Sequence, residues 1–248
     1  MLILVSNDDG VHAPGLQALV EALDTLGRVV VVAPDRERSA VGHALTLHRP
    51  LRISPLGRER YSVDGTPTDC VHLGIHGVLK RKPDLLIAGI NHGGNLGDDV
   101  TYSGTVGVAL EGTLFGVPSL AVSLAARGDY RFEVAGRVAR MVAEAVAARG
   151  LPQGTLLNVN VPNVGSWEEL RGIRMTRQGR RVFGSGVVEK VDPRGRSYYW
   201  VGAQELGYVE EDVGTDVEAV SHGCVSVTPV CTDLTDHRFL EELRQWRL

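Results

Sequence analysis

The sequence predicts an α/β fold: a doubly wound, mostly parallel sheet with helices on both faces and a C-terminal antiparallel arm. Three observations carry that expectation. Short apolar runs alternate with helical repeats over roughly the first 150 residues, as successive strand–helix–strand units do. Residues 2–5 (Leu-Ile-Leu-Val) and 29–33 (Val-Val-Val-Val-Ala) are apolar at every position, the pattern of strands buried on both faces. Beyond the alternating part, aromatic and β-branched pieces take over, which suits an antiparallel arm or hairpin added to the sheet.

Each element follows from local signals. After the strand at 2–5, Leu16, Leu19, Val20, Leu23 and Leu26 recur at helical spacing and Gly27 closes the helix. The strand at 29–33 stops at Pro34. Residues 35–65 read as a loop and short strands, with Asp64-Gly65 as a turn. Thr66-Pro67-Thr68-Asp69 opens a helix that runs to Lys80, with proline in its first turn. A strand at 84–90, a loop at 91–102 and a Gly-rich helix at 103–115 come next, followed by a strand at 117–124 and an amphipathic helix at 132–148. Strands at 156–161 and 224–230 and a helix at 236–246 complete the core, with β pieces at 174–177 and 197–201 assigned to the arm. The expected organisation is one α/β domain, its core at 1–165 and 222–248 and its arm at 170–221.

Bulk composition narrows the function. A chain of 248 residues with 43% hydrophobic and 23% charged residues buries a sizeable core. The net charge of −4 gives no global attraction to a nucleic-acid polymer or an anionic membrane. No apolar span is long enough to cross a bilayer, and the N-terminus lacks the charged and apolar regions of a signal peptide. Cys70, Cys224 and Cys231 follow no metal or redox spacing, and buried free thiols in a cytoplasmic protein are expected. The basic run Arg174, Arg177, Arg180 and Arg181 is either a solvated face or an anion site.

In open α/β sheets ligands bind beyond the carboxyl ends of the strands. The first strand is followed by Asn7-Asp8-Asp9-Gly10, the second by Asp35-Arg36-Glu37-Arg38-Ser39, and the third by Asn91-His92-Gly93-Gly94-Asn95. Adjacent acids in an extended strand point to opposite faces, so Asp8 and Asp9 converge only if the chain turns there, as Gly10 permits. Converging carboxylates repel unless protonated or bridged by a cation, and oxygen donors suit Mg²⁺, Mn²⁺ or Ca²⁺. The other reading is a solvated acid pair before a helix. Ser39, Asn91 and Asn95 could add neutral oxygens or simply shape turns. Ser103-Gly104-Thr105 opens a helix and is either an anion site or an ordinary cap. No P-loop or dinucleotide fingerprint occurs. His12, His43, His72, His92 and His222 are scattered, and no Ser-His-Asp nucleophile can be assembled.

These segments, with Gly65-Thr66-Pro67-Thr68-Asp69-Cys70, Gly89-Ile90-Asn91, Tyr102-Ser103-Gly104-Thr105 and Asn158-Val159-Asn160-Val161-Pro162, resemble the SurE family of stationary-phase survival proteins over nearly the whole chain. The resemblance implies a Rossmann-like core and a divalent-metal-dependent phosphomonoesterase acting on nucleoside monophosphates. It implies one Mg²⁺ or Mn²⁺ per subunit on Asp8, Asp9, Ser39 and Asn91, with phosphate on Asn95, Ser103, Gly104 and Thr105. It also implies a homodimer or homotetramer with arms exchanged between subunits. Asp8 and Asp9 are the expected catalytic residues. The alternatives are an aspartyl-phosphate mechanism on Asp8 and a nucleotide-binding regulatory module without turnover.

Overall fold

All five residues of β1 (Leu2–Ser6) are buried, and the strand lies between two parallel neighbours, β2 (Arg28–Pro34) and β5 (Leu85–His92). The computed structural model describes residues 1–182, 186–201, 207–209 and 212–246. Around β1 grows a nine-stranded sheet. Its other members are β3 (Ile53–Gly57), β4 (Arg60–Val63), β6 (Ser119–Ala125), β7 (Thr155–Pro162), β8 (Ile173–Met175) and β11 (Val225–Cys231). Their order across the sheet is β3-β4-β2-β1-β5-β6-β7-β11-β8. From β1 the chain first builds outward through β2, then returns to β5 and builds the other way. The switch in direction leaves a crevice between the carboxyl ends of β1 and β5.

Strand alternation supplies two apolar layers. Ile3 and Val5 face a core shared with Leu16, Leu19 and Leu23 of α1 (Pro14–Leu23) and Val138 of α4 (Phe132–Arg149). Leu2 and Leu4 face the opposite core, with Val71 of α2 (Pro67–His72) and Val108 of α3 (Gly104–Leu114). Helix α2 starts in a capping box, in which the Thr66 hydroxyl accepts from the Asp69 amide and the Asp69 carboxylate accepts from the Thr66 amide.

Several boundaries differ from those expected. The helix expected to run to Lys80 is α-helical only through His72; residues Leu73–Leu79 wind as a π-helix and Lys80 is left-handed. That stretch holds Gly74 and Gly77, the weakest helix formers short of proline, so local propensity does not hold the tighter pitch. The arm is not simply an addition to the sheet. β8 joins the sheet edge parallel to β11, whereas β9 (Val187–Val191) and β10 (Ser197–Val201) form a separate antiparallel ribbon. A three-residue strand carries too little pattern to declare its partner, and here β11 decides it. Residues 183–185, 202–206 and 210–211 of the expected arm lie outside the described residues. Helix α5 (Asp216–Ser221) is too short to leave a periodic signal. The last helix, α6, covers only His237–Leu243 and buries none of its residues. Cys70 and Cys224 are buried free thiols as expected, but Cys231 is exposed at the end of β11.

Candidate active site

The chain turns as it leaves β1. The Asn7 side-chain amide donates to the Gly10 carbonyl (3.0 Å), folding the corner that adjacent carboxylates need. The two acids are then anchored on different elements. Asp8, only 6% exposed, accepts the Thr105 hydroxyl at the start of α3. Asp9 accepts the His92 amide at the end of β5 (3.2 Å), and His92 Nδ1 lies 3.7 Å from its other oxygen. Burial pushes Asp8 up to about 6; Thr105 pulls against this rise and the charge of Asp9 adds to it. Asp9 also rises to about 6 through burial, opposed by the His92 amide and reinforced by the Glu37 carboxylate. The pair sits in the crevice between β1 and β5 with more negative charge than its protein partners neutralise.

Glycine at 104 is what lets α3 come this close. A Cβ there would lie 2.8 Å from the Asp8 Cβ and 2.9 Å from its Oδ2. Ser103 caps the helix by accepting from the Val106 amide (3.0 Å), which leaves its O–H able to donate outward. The positive end of α3 therefore faces Asp8, so the predicted anion-binding segment and acid pair meet in space.

The remaining predicted residues surround this point. Asn91 donates from Nδ2 to the Gly93 carbonyl (2.9 Å), which leaves its side-chain oxygen for another partner. Asn95 is buried; its Nδ2 donates to the Ser123 hydroxyl (2.7 Å), and its carbonyl accepts from Asn158 and Asn160 (2.8 and 3.1 Å). Ser39 is exposed and donates to Glu37 (2.6 Å), while the neighbouring Arg38 amide ties its loop to the Asp8 carbonyl (2.7 Å). Orphaned buried polar atoms concentrate here too, among them Asn7 Oδ1, Arg38 Nε and His92 Nε2. Such atoms are rare in folded proteins, and each calls for a partner or a role.

No group of three or more His, Cys, Asp or Glu side chains is arranged to hold a metal ion among the described residues. The available donors are instead two carboxylates with the neutral oxygens of Asn and Ser. That oxygen-only set, with a buried and a half-buried carboxyl both displaced upward, fits a hard divalent cation. Next to Asp9, a cavity of about 300 Å³ is lined by His12, Asp35, Glu37 and His92.

Sequence reasoning missed several supports. Glu37 was named in the segment after the second strand but given no role; it accepts from Ser39 and its charge raises the pKa of Asp9. Asn158 and Asn160 stand two apart on an otherwise apolar strand, a legible sign that one face of β7 does polar work. Glu111 was hidden in a helix. Its buried carboxylate lies 2.5 Å from Nε2 of His43 and 2.5 Å from Nε2 of His72. Burial would raise its pKa, but the two imidazoles hold it below the usual carboxylate range. This cluster pins the segment after β2, which carries Ser39, onto α3. Glu111→Ala is expected to cost about 2–3 kcal/mol in urea denaturation, because two imidazoles lose their acceptor at once. His222 instead pairs with Glu218 (3.3 Å). The basic run is also paired: Arg174 with Glu218 (2.8 Å), Arg177 and Arg180 with Asp212 (2.5 and 3.7 Å), and Arg181 with Asp99.

Comparison with known proteins places the whole chain in a family. The family model described as Survival protein SurE matches residues 3–185. Among similar proteins, 5'-nucleotidase SurE of Syntrophotalea carbinolica is 58% identical, covering 100% of this chain and 98% of that protein. The 5'-nucleotidase SurE of Geobacter sulfurreducens is 56% identical over 100% of this chain and 94% of its own length. The crystal structure of the SurE protein from Aquifex aeolicus superposes with a TM-score of 0.88 at 47% identity, covering 98% of each chain. By sequence along its full length and by fold, the chain belongs to the SurE family.

Proposed function

We propose that the chain is a divalent-cation-dependent 5'-nucleotidase that hydrolyses nucleoside monophosphates to nucleoside and inorganic phosphate. The observation that carries the reading is the convergence of Asp8 and Asp9 with the start of α3 at the switch point of the sheet. Relatives named 5'-nucleotidase, similar over their whole length, support it.

Asp8, Asp9, Ser39 and Asn91 would hold one Mg²⁺ or Mn²⁺, which when bound polarises a phosphoryl oxygen and balances the two carboxylates. The chain's own groups do the rest. Ser103, Gly104 and Thr105 present the α3 start to the phosphate, and the buried amide of Asn95 steadies it from the end of the β5 loop. Thr105 fixes one oxygen of Asp8, so that carboxylate cannot rotate away as charge shifts. The His92 amide fixes Oδ2 of Asp9, which leaves Oδ1 to take the proton of the attacking water. The water oxygen bonds to phosphorus as the O–P bond to the nucleoside breaks, and the leaving oxygen takes a proton from solvent to depart as a hydroxyl. Phosphate release from a panel of nucleoside monophosphates, with Mg²⁺, Mn²⁺ or EDTA, tests this. Cation-dependent release abolished by EDTA is expected, whereas binding without release under every condition overturns the enzyme reading.

The partner reading rests on exposed apolar surface. A two-stranded ribbon is marginal alone in water, yet β9–β10 exposes Val187, Val191, Tyr199, Trp200 and Val201. Phe239 and Trp246, in edge contact with each other around α6, are also exposed. A second copy of this chain, exchanging the 170–221 arm in a dimer or tetramer around the 1–165 and 222–248 core, would cover them. No helix among the described residues is long and apolar enough to cross a membrane. The three unpaired thiols support a reducing, cytoplasmic setting.

A further inference from the structure

We propose that the junction fastening residues 95–101 to the base of the arm positions the phosphate end of the site, with Asp216 and Tyr208 as its positioning residues. This rests on the nucleotidase reading for the identity of the phosphate end. Asp216 is 0% exposed and makes no ion pair among the described residues, yet both its oxygens are committed. Oδ2 accepts from the Gly97 amide (3.0 Å), and Oδ1 accepts from the amides of Gly179 and Val217 (2.8 and 2.8 Å). Burial raises its pKa against the pull of those amides. A buried carboxylate is costly, so its use as a three-way backbone tie is a matter of geometry rather than stability. The backbones it joins are in contact. Gly97 has φ +53, and a Cβ there would lie 3.1 Å from the Gly179 carbonyl.

Two more acids extend the tie. Asp98 accepts from the Arg181 amide (2.8 Å). Asp99 takes the Arg181 guanidinium on one oxygen and the Tyr208 hydroxyl on the other. Burial pushes the Tyr208 phenol up, and the charge of Asp99 reinforces this, so Tyr208 stays a donor throughout the working pH range. Arg181 and Tyr208 themselves form a bridge across the arm base.

What this holds is the path between two candidate phosphate ligands. At one end Asn95 is fixed by Ser123, Asn158 and Asn160. At the other, the Asp99 carbonyl accepts from the Tyr102 amide (3.0 Å), one residue before Ser103. Asp99 thus touches the arm with its side chain and, with its backbone, the residue before the Ser103 cap of α3. A loosened arm base would release the segment between Asn95 and Ser103, although among the described residues no hydrogen bond joins either of them to the arm.

The test uses the full-length chain with Tyr208→Phe, which removes one hydroxyl, and Asp216→Asn, which keeps the shape but sets an N–H against a backbone amide. In Tyr208→Phe, kcat/KM for a nucleoside monophosphate should fall about 5- to 20-fold, mostly through KM. Affinity for inorganic phosphate, measured calorimetrically, should weaken by the same factor, with melting temperature and size-exclusion profile held. Asp216→Asn should show the same split more strongly. A lowered melting temperature with unchanged KM and phosphate affinity in Tyr208→Phe would make the junction merely structural and overturn the proposal. So would a KM effect without a phosphate effect. If the wild type releases no phosphate from nucleotides but binds inorganic phosphate, the nucleotidase reading fails while the phosphate comparison still decides this one. If the wild type does neither, both fall.

Discussion

Asp8→Asn is expected to lose about 10³-fold or more in kcat, since several kcal/mol of charge stabilisation go with the cation, and yet to melt higher than the wild type. Burial lifts the Asp8 carboxyl from 3.8 to about 6, with Thr105 opposing and Asp9 adding to the rise. A group whose folded pKa lies above its unfolded value contributes stability that is complete below the unfolded pKa. That contribution disappears as pH rises through the folded pKa. In cation-free protein the window runs from about pH 4 to about pH 6, and above it an ionised Asp8 disfavours the fold by about 3 kcal/mol. Asparagine cannot ionise and still offers an oxygen to the Thr105 hydroxyl. Scanning calorimetry in EDTA should therefore show the variant above the wild type at neutral pH, with the gap closing in acid. Full activity in a variant that melts with the wild type at neutral pH would remove Asp8 from the site.

The second large effect is expected of Gly104→Ala. An added Cβ meets the Asp8 Cβ at 2.8 Å and Oδ2 at 2.9 Å, and Asp8 cannot retreat while Thr105 holds it. A displacement approaching 1 Å at a reacting group costs on the order of 10²-fold, so kcat/KM should fall by about that much. Mn²⁺ binding followed by calorimetry should weaken in parallel. Stability should move little, because alanine favours the helix by up to ~1 kcal/mol over glycine and offsets part of the strain. A variant with normal turnover and cation affinity would mean that α3 and Asp8 do not work as a unit.

The parts of this molecule legible in its sequence are those written locally. Strands buried on both faces, such as β1 and β2, announce themselves as unbroken apolar runs, and the polar segments that follow them mark the crevice. Asp8 with Asp9 and Ser103 with Thr105 were identifiable because strand ends and helix starts are recognisable places. What stayed hidden depends on pairing at long range. Glu111 looks like any polar residue of a helix until folding sets it between His43 and His72. Asp216 is one acid among many until its two oxygens find Gly97 and Gly179. For β8 to β10 the choice between the sheet edge and a free ribbon is settled by partners, not by propensity.

The tie between Thr105 and Asp8 spans 97 positions, and β1 meets the start of β5 through a hydrogen bond from the Leu2 amide to Asp84, 82 positions away. Parallel pairings of this kind must close long loops before they gain contacts, and they form late. During synthesis Asp8 and Asp9 emerge well before α3, and they remain two ordinary solvated acids until roughly a hundred more residues have followed. The burial that displaces the Asp8 pKa arrives only when α3 docks. On the cation-dependent reading proposed above, affinity for the cation should therefore rise in one step with the closure of β1 against β5.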